Sequence, residues 1–170
     1  MAQCLYPRNR NPNYWKKNRT NRNCGAFALD SPTWVTPYGN DDDYTDEVRQ
    51  NIMQEMMDEG FDRDTIMETI LIADQEAILR SCPWIEPILK EEIRPTDRVI
   101  AYRLSLDPDV FAMGEIDDDF HFRVCINGFW FEKCGQDPIR FCGNFIDEAP
   151  WYSTPYLIYD SEICYFRFKE

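Results

Sequence analysis

The sequence predicts one α+β domain, in which a short N-terminal helix and a longer helical pair pack on a small antiparallel sheet. Residues 44–80 have helical spacing of apolar side chains, residues 98–106 alternate as a strand does, and an Asn-Gly pair separates two strand-like runs. With 170 residues, 44% of them hydrophobic, the chain can form one core but is short for two ordinary domains. We expect a single domain over 1–170.

The N-terminal segment predicts an irregular basic arm followed by a short helix. Residues 1–23 contain six basic residues and no acidic residue, with many Asn residues and little periodicity. Asn23 is a good N-cap, and the small and apolar run from Cys24 is stopped near Pro32. Cys24 is therefore expected in the first turn of a helix.

Two further helices are predicted within 44–80, and we interpret them as a helical insertion. The first runs from Tyr44 to Asp58 and ends before Gly60; the second is capped by Asp62 or Asp64 and runs to about Arg80. Both have broad apolar faces, which are typical of helices that form or cover a hydrophobic core.

The remainder of the chain, from 98 to 170, predicts the antiparallel sheet. The stretch before it is broken by Pro83, Pro87 and Pro95, so it has room for at most one short helix. Strands are expected over 98–106 and 163–168, and a hairpin joins 121–126 to 129–133 through Asn-Gly, a pair suited to a type I′ turn.

The hairpin turn fixes a register that brings polar side chains together. It pairs Arg123 with Glu132 and, two residues further, His121 with Cys134. Glu132 is then diagonal to His121, where a carboxylate could orient the imidazole. The alternative is that Glu132 pairs only with Arg123, since opposite charges are favourable there.

Cys24 and His121 are the candidate nucleophile and base. A cysteine at a helix N-terminus has its thiolate stabilised by backbone N–H groups, and a nearby imidazole lowers its pKa further. The chain has one histidine, so any Cys–His mechanism must use His121. Taken singly, each residue has a structural explanation; together they favour a thiol hydrolase.

The seven cysteines favour neither a disulfide framework nor a metal site. Their number is odd, and a chain of this length already has a core. A zinc site built from His121, Cys125, Cys134 and Cys142 lacks a C-x-x-C pair and matches no common zinc spacing. We expect no metal and no cofactor.

The charge is strongly acidic outside the arm. The net charge is −13, and residues 24–170 hold twelve basic and 31 acidic residues, or −19. Such a body repels phosphate backbones and attracts basic proteins, although the basic arm could still bind nucleic acid. Candidate binding residues are two aspartate triplets: Asp41, Asp42 and Asp43, and Asp117, Asp118 and Asp119.

Two segments resemble the signature regions of the NlpC/P60-like branch of papain-like thiol hydrolases, in small phage and bacterial proteins. They are the run from Asn23 to Leu29 around Cys24, and the run from Asp119 to Gly135 that contains His121 and the Asn-Gly hairpin. The resemblance implies a papain-like fold with Cys24 as nucleophile, His121 as base and Glu132 as orienting residue. Asn21, Asn23 and the Cys24 backbone N–H are the oxyanion candidates.

The same resemblance implies two functions. One is a phage-type enzyme acting inside a bacterial host, which cleaves an amide or isopeptide bond. The other is a phage counter-defence inhibitor, since the fold is known among anti-CRISPR proteins; its acidic surface would bind a basic nucleic-acid-handling protein such as type II-A Cas9 or its guide-RNA complex. Since no export signal or spanning segment is evident, we expect a cytoplasmic protein without a membrane partner and disfavour a secreted cell-wall peptidase.

Overall fold

The computed structural model describes residues 23–29, 36–37, 42–134, 139–151 and 158–170, and within them the protein is a mixed helix and antiparallel-sheet structure. This confirms the predicted α+β class. The basic arm before residue 23 lies outside the described residues. In the described part, no helix is both long enough and apolar enough to cross a bilayer.

The first three helices match the predicted ones closely. Helix α1 is the short N-terminal helix, α2 and α3 are the helical pair, α4 is a short helix after the second strand, and one 3₁₀ turn precedes that strand. Their bounds are Cys24–Leu29 for α1, Asp46–Asp58 for α2, Arg63–Ser81 for α3, Pro108–Ala112 for α4 and Lys90–Glu92 for the 3₁₀ turn.

Side-chain caps explain where the helical pair begins. Thr45 Oγ1 accepts from the backbone N of Val48 at 3.2 Å at the start of α2, and Asp62 Oδ1 accepts from the backbone N of Thr65 at 2.7 Å at the start of α3. Of the two predicted caps for α3, Asp62 is thus the one used. The last turn of α2 ends before Gly60, which takes the positive φ of 88° that glycine tolerates.

Six antiparallel strands form one sheet in the order β1-β6-β2-β3-β4-β5. Strands β2, β3, β4 and β6 correspond to the predicted strands. The bounds are Ile85–Ile88 for β1, Val99–Leu106 for β2, Asp118–Ile126 for β3, Phe129–Glu132 for β4, Arg140–Gly143 for β5 and Cys164–Phe168 for β6.

The β3–β4 hairpin has the predicted turn and register. Asn127 and Gly128 both have positive φ, 52° and 80°, as a type I′ turn requires. The pairing runs from Ile126 with Phe129 to Arg123 with Glu132. It ends there, so the expected step that pairs His121 with Cys134 is not part of the ladder.

The proline-interrupted stretch differs from expectation. It holds an edge strand, β1, as well as the short 3₁₀ turn. Pro87 is tolerated inside β1 because an edge strand is bonded to a neighbour on one side only. The sheet therefore begins before residue 98. Strand β5 and helix α4 were also not predicted.

The sheet separates two hydrophobic clusters, because successive side chains of a strand point to opposite faces. On β3, Phe122 and Val124 pack in the larger cluster with α1 and the helical pair, whereas Cys125 packs in the smaller cluster. The smaller one is covered by residues of the 144–151 and 158–163 segments. By the same alternation, His121 and Arg123 belong to the face of the smaller cluster.

Candidate active site

Helix α1 places Cys24 against the sheet. Asn23 Oδ1 accepts from the backbone N of Ala26 at 2.9 Å, which caps the first turn, and all six residues of the helix are buried. The helix packs on β3 and β4, as predicted for the cysteine-bearing helix. Cys24 is 6% exposed and starts the helix.

His121 is buried beside both the carboxylate of Glu132 and two thiols. Its Nε2 lies 2.9 Å from Glu132 Oε2, and its ring interacts with the side chains of Cys134 and Cys24. His121 is paired with Arg103 of β2, and among the described residues the β3–β4 ladder on the other side ends at Glu132. The three residues predicted from sequence, Cys24, His121 and Glu132, therefore meet at one site.

Glu132 holds this site together as an ionised carboxylate. Its Oε2 accepts from Arg123 Nε at 2.8 Å as well as from His121, and its Oε1 accepts from Arg140. Burial would raise the pKa of Glu132, but the hydrogen bond and charge of His121, together with Arg123, lower it to about 2. The alternative that Glu132 pairs only with Arg123 is wrong, since Glu132 contacts both Arg123 and the imidazole.

Arg123 is the rigid support behind Glu132. The side chain is fully buried, and beyond Glu132 its guanidinium donates to the backbone oxygens of Ile146, Ala149 and Pro150 at 2.7–2.8 Å. It also lies 4.1 Å from the ring centre of Trp151. A planar guanidinium with its donors satisfied in this way fixes both the carboxylate and the segment that covers the sheet.

The surroundings of His121 favour the imidazolium. Burial alone would lower its pKa, but the interactions with Cys134, Cys24 and Glu132 raise the pKa well above its usual value. Since the ionised Glu132 only accepts, Nε2 is the donor in that hydrogen bond. Nδ1 is then the ring nitrogen that remains to exchange a proton with a thiol.

Two aromatic rings hold the imidazole in place. Tyr159 stacks on it with ring centres 5.2 Å apart and planes 20° apart, and Trp151 meets it edge-on at 5.9 Å. The Tyr159 hydroxyl donates to Asp119 Oδ2 at 2.7 Å. His121 is 3% exposed as a result, so little bulk water competes for its protons.

One group among the described residues has a geometry that could hold a metal ion. The potential ligand atoms of His121, Glu132 and Cys134 lie within 4.8 Å of one another. However, two arginines already occupy both oxygens of Glu132, and their charges oppose a bound cation. The arrangement therefore suits an orienting carboxylate better than a metal ligand. Cys125 and Cys142, the other two residues of the disfavoured zinc set, are not in this group.

The other four described cysteines have a pKa that burial raises. All six described cysteines are free thiols. Burial raises the pKa of Cys82 and of Cys142 to about 11, and that of Cys164 to about 12. Burial also raises the pKa of Cys125. These thiols stay protonated at neutral pH and are unreactive.

The aspartate triplets are only partly available to a partner. Asp118 accepts from the buried Arg49 and from Gln50, and Asp119 accepts from Tyr159. Asp42, Asp43 and Asp117 are exposed, whereas Asp41 lies outside the described residues. Among the oxyanion candidates, Asn23 uses its side-chain oxygen to cap α1, and Asn21 lies outside the described residues.

Four contributors to the site were not assigned a role there from sequence: Arg140, Trp151, Tyr159 and Cys134. The first three follow the hairpin in segments that carried no motif, and only tertiary packing brings them to His121. Cys134 had a signal, because the extended hairpin register placed it opposite His121. No family model, no curated protein and no solved structure matches this chain.

Proposed function

We propose that this protein is a cysteine hydrolase of papain-like architecture that cleaves an amide or isopeptide bond. Cys24 is the nucleophile, His121 the general base and acid, and Glu132 the orienting residue. The observation that carries the proposal is the placement of one buried imidazole between a thiol at a helix start and an ionised carboxylate.

The reaction follows from the proton positions. His121 Nδ1 holds the proton of Cys24 in an imidazolium–thiolate pair, and the thiolate attacks the substrate carbonyl to form a tetrahedral intermediate. The backbone N–H of Cys24, one of the first amides of α1, lacks an intrahelical acceptor and suits the oxyanion. The imidazolium then protonates the leaving amine, and water hydrolyses the thioester that remains on Cys24.

Glu132 supports each of these steps without exchanging a proton. With a pKa of about 2, it stays ionised at neutral pH and stabilises the imidazolium that forms when Cys24 is deprotonated. Arg123 and Arg140 keep the carboxylate in its orientation. The resemblance to phage-type NlpC/P60 proteins supports a role inside a bacterial host.

The test is turnover of fluorogenic peptide amides and Lys-linked isopeptides by the protein and three variants. Cys24→Ala and His121→Ala should each abolish turnover while circular dichroism remains unchanged. Cys82→Ala, which removes a buried thiol whose pKa is raised by burial alone, is the matched control and should retain turnover. Equal turnover by Cys24→Ala and the unaltered protein would overturn the proposal.

A second candidate is a binding module that inhibits a basic nucleic-acid-handling protein such as Cas9, with the thiol site dispensable. The charge of −19 outside the arm and the exposure of Asp42, Asp43 and Asp117 favour it. Association should then weaken steeply with salt and on reversal of those three charges. Salt-independent association would exclude this mode of binding.

A further inference from the structure

The imidazole of His121 contacts two thiols, whereas a thiol hydrolase needs one. Cys134 Sγ lies within 4.8 Å of a His121 ring nitrogen and of a Glu132 oxygen, and Cys24 interacts with the same ring from α1. Helix α1, which carries Cys24, packs on β4, which leads directly into Cys134. Hydrolysis assigns a role to Cys24 but leaves Cys134 without one.

The two thiols differ in their exposure to solvent. Cys24 is buried at 6% exposure, whereas Cys134 is half-buried. Cys134 also lies two residues beyond Glu132, the last residue of β4 that is paired with β3. An adjacent imidazolium stabilises a thiolate, and an accessible thiolate is the form that peroxides oxidise.

We propose that Cys134 and Cys24 form a reversible disulfide that masks the nucleophile when the protein meets a hydroperoxide. The half-buried Cys134 sulfur attacks one peroxide oxygen and the O–O bond breaks. A sulfenic acid forms, and the departing oxygen takes up the thiol proton through His121 and leaves as water or an alcohol. The Cys24 thiolate then attacks the sulfenic sulfur, hydroxide leaves as water with a proton from the site, and the disulfide forms. The peroxide is reduced by two electrons, and the two thiols supply them.

This inference rests on the same imidazole as the proposed function but does not require amide hydrolysis. A dithiol reductant reverses the step by thiol–disulfide exchange and returns both thiols. The disulfide would place the site under redox control. It would also protect the nucleophile from irreversible oxidation to a sulfinic acid.

The test uses the full-length protein and hydrogen peroxide. Protein is treated with peroxide, remaining thiols are blocked with iodoacetamide, and a non-reducing digest is mapped by mass spectrometry. The inference expects a Cys24–Cys134 cross-linked peptide, loss of Cys24 alkylation and full recovery of alkylation after dithiothreitol. In Cys134→Ser, Cys24 should remain alkylated after peroxide.

Cys164→Ser is the matched control. Cys164 is also half-buried, but its sulfur faces Gln75 Oε1 at 3.7 Å instead of an imidazole. This variant should form the cross-link as the unaltered protein does. Cys24 that stays fully alkylated after peroxide, or that becomes a sulfinic acid without any cross-link, would overturn the inference. The fluorogenic assay on untreated protein reports separately on hydrolysis, and the mapping of the unaltered protein decides the matter even if Cys134→Ser fails to fold.

Discussion

Two buried carboxylates, Asp74 and Glu132, organise the two sides of the sheet in different ways. Asp74, on α3, accepts from the guanidinium of Arg49 and the hydroxyls of Tyr44 and Tyr102. Glu132 also accepts from arginines, but its remaining partner is an imidazole that contacts two thiols. Both carboxylates are at most 1% exposed.

The difference shows what makes a buried ion pair a candidate active site. Around Asp74 every partner is a permanent cation or a hydroxyl; burial and the charge of Asp74 raise the pKa of Tyr44 and of Tyr102 well out of the neutral range. This network can only connect α2, α3 and β2. Around Glu132, the partner His121 titrates and can pass its proton to a thiol. The Asp74 network is therefore structural, and the Glu132 network can perform chemistry.

The largest expected effect is on stability, through Asp74→Asn. Removing one partner of a buried ion pair leaves Arg49 under-compensated, which should reduce the free energy of unfolding by about 3 kcal/mol in denaturant titrations. The alkylation rate of Cys24 should not change in the folded fraction. Asp64→Asn is the control, because Asp64 is exposed at 3.7 Å from Arg63. If both variants were equally stable, the Asp74 network would not connect the helices to the sheet.

The second prediction concerns acid stability through Glu132. Because its pKa falls from 4.5 to about 2 on folding, its contribution is fully present above pH 4.5 and is lost as the pH falls through about 2. That difference corresponds to about 3 kcal/mol. Glu132→Gln should have a lower free energy of unfolding than the unaltered protein at pH 7. Its free energy of unfolding should also decrease less as the pH is lowered.

The control for this prediction is Glu86→Gln. Glu86 pairs with Arg167 at 2.6 Å on the surface, where such pairs contribute at most about 1 kcal/mol. At acidic pH, the decrease in its free energy of unfolding should be the same as in the unaltered protein. If the stability of Glu132→Gln decreased with acid as much as that of the unaltered protein, a group other than Glu132 would be responsible for the pH dependence.

A third prediction separates the ring of Tyr159 from its hydroxyl. Tyr159→Phe keeps the ring that stacks on His121 and removes the hydroxyl bonded to Asp119, so it should cost about 1 kcal/mol of stability. Cys24 alkylation should remain as fast as before. Tyr159→Ala, which removes the ring, should slow it. Equal alkylation rates in both variants would show that stacking of the Tyr159 ring on His121 does not affect the reactivity of Cys24.

The smallest effects are expected at the exposed aspartates. Asp117→Lys should change the free energy of unfolding by less than about 0.5 kcal/mol, as for other surface sites. Asp118→Lys should be clearly destabilising because Asp118 pairs with the buried Arg49. Thermal denaturation of the two variants would show this difference. Charge reversals that probe a basic partner should therefore use Asp42 and Asp117, which are exposed.

The sequence was informative where local rules govern the structure. Asn127 and Gly128 dictate the type I′ turn, and the turn dictates the register that carries Glu132 to His121. Asn23 and Asp62 mark helix starts through their own side chains. Cys24, His121 and Glu132 could be found because each lies in such a locally determined element.

The remainder depended on long-range contacts that leave no local pattern. Tyr159 and Trp151 reach His121 from segments more than 25 residues downstream, and nothing in their neighbours indicates that destination. Strand β1 contains Pro87, which argues against a strand unless its edge position is known. The functions of Asp118 and Asp119 were likewise hidden, because their partners Arg49 and Tyr159 are far away in sequence.

The most direct test of the central claim is the alkylation rate of Cys24 by iodoacetamide as a function of pH, in the intact protein and in His121→Ala, with the labelled site mapped by mass spectrometry. If His121 activates Cys24, labelling should be rapid with an apparent pKa below about 8.5, and this rapid labelling should be lost in the variant. Slow labelling that matches Cys82 and Cys142, with no dependence on His121, would contradict it.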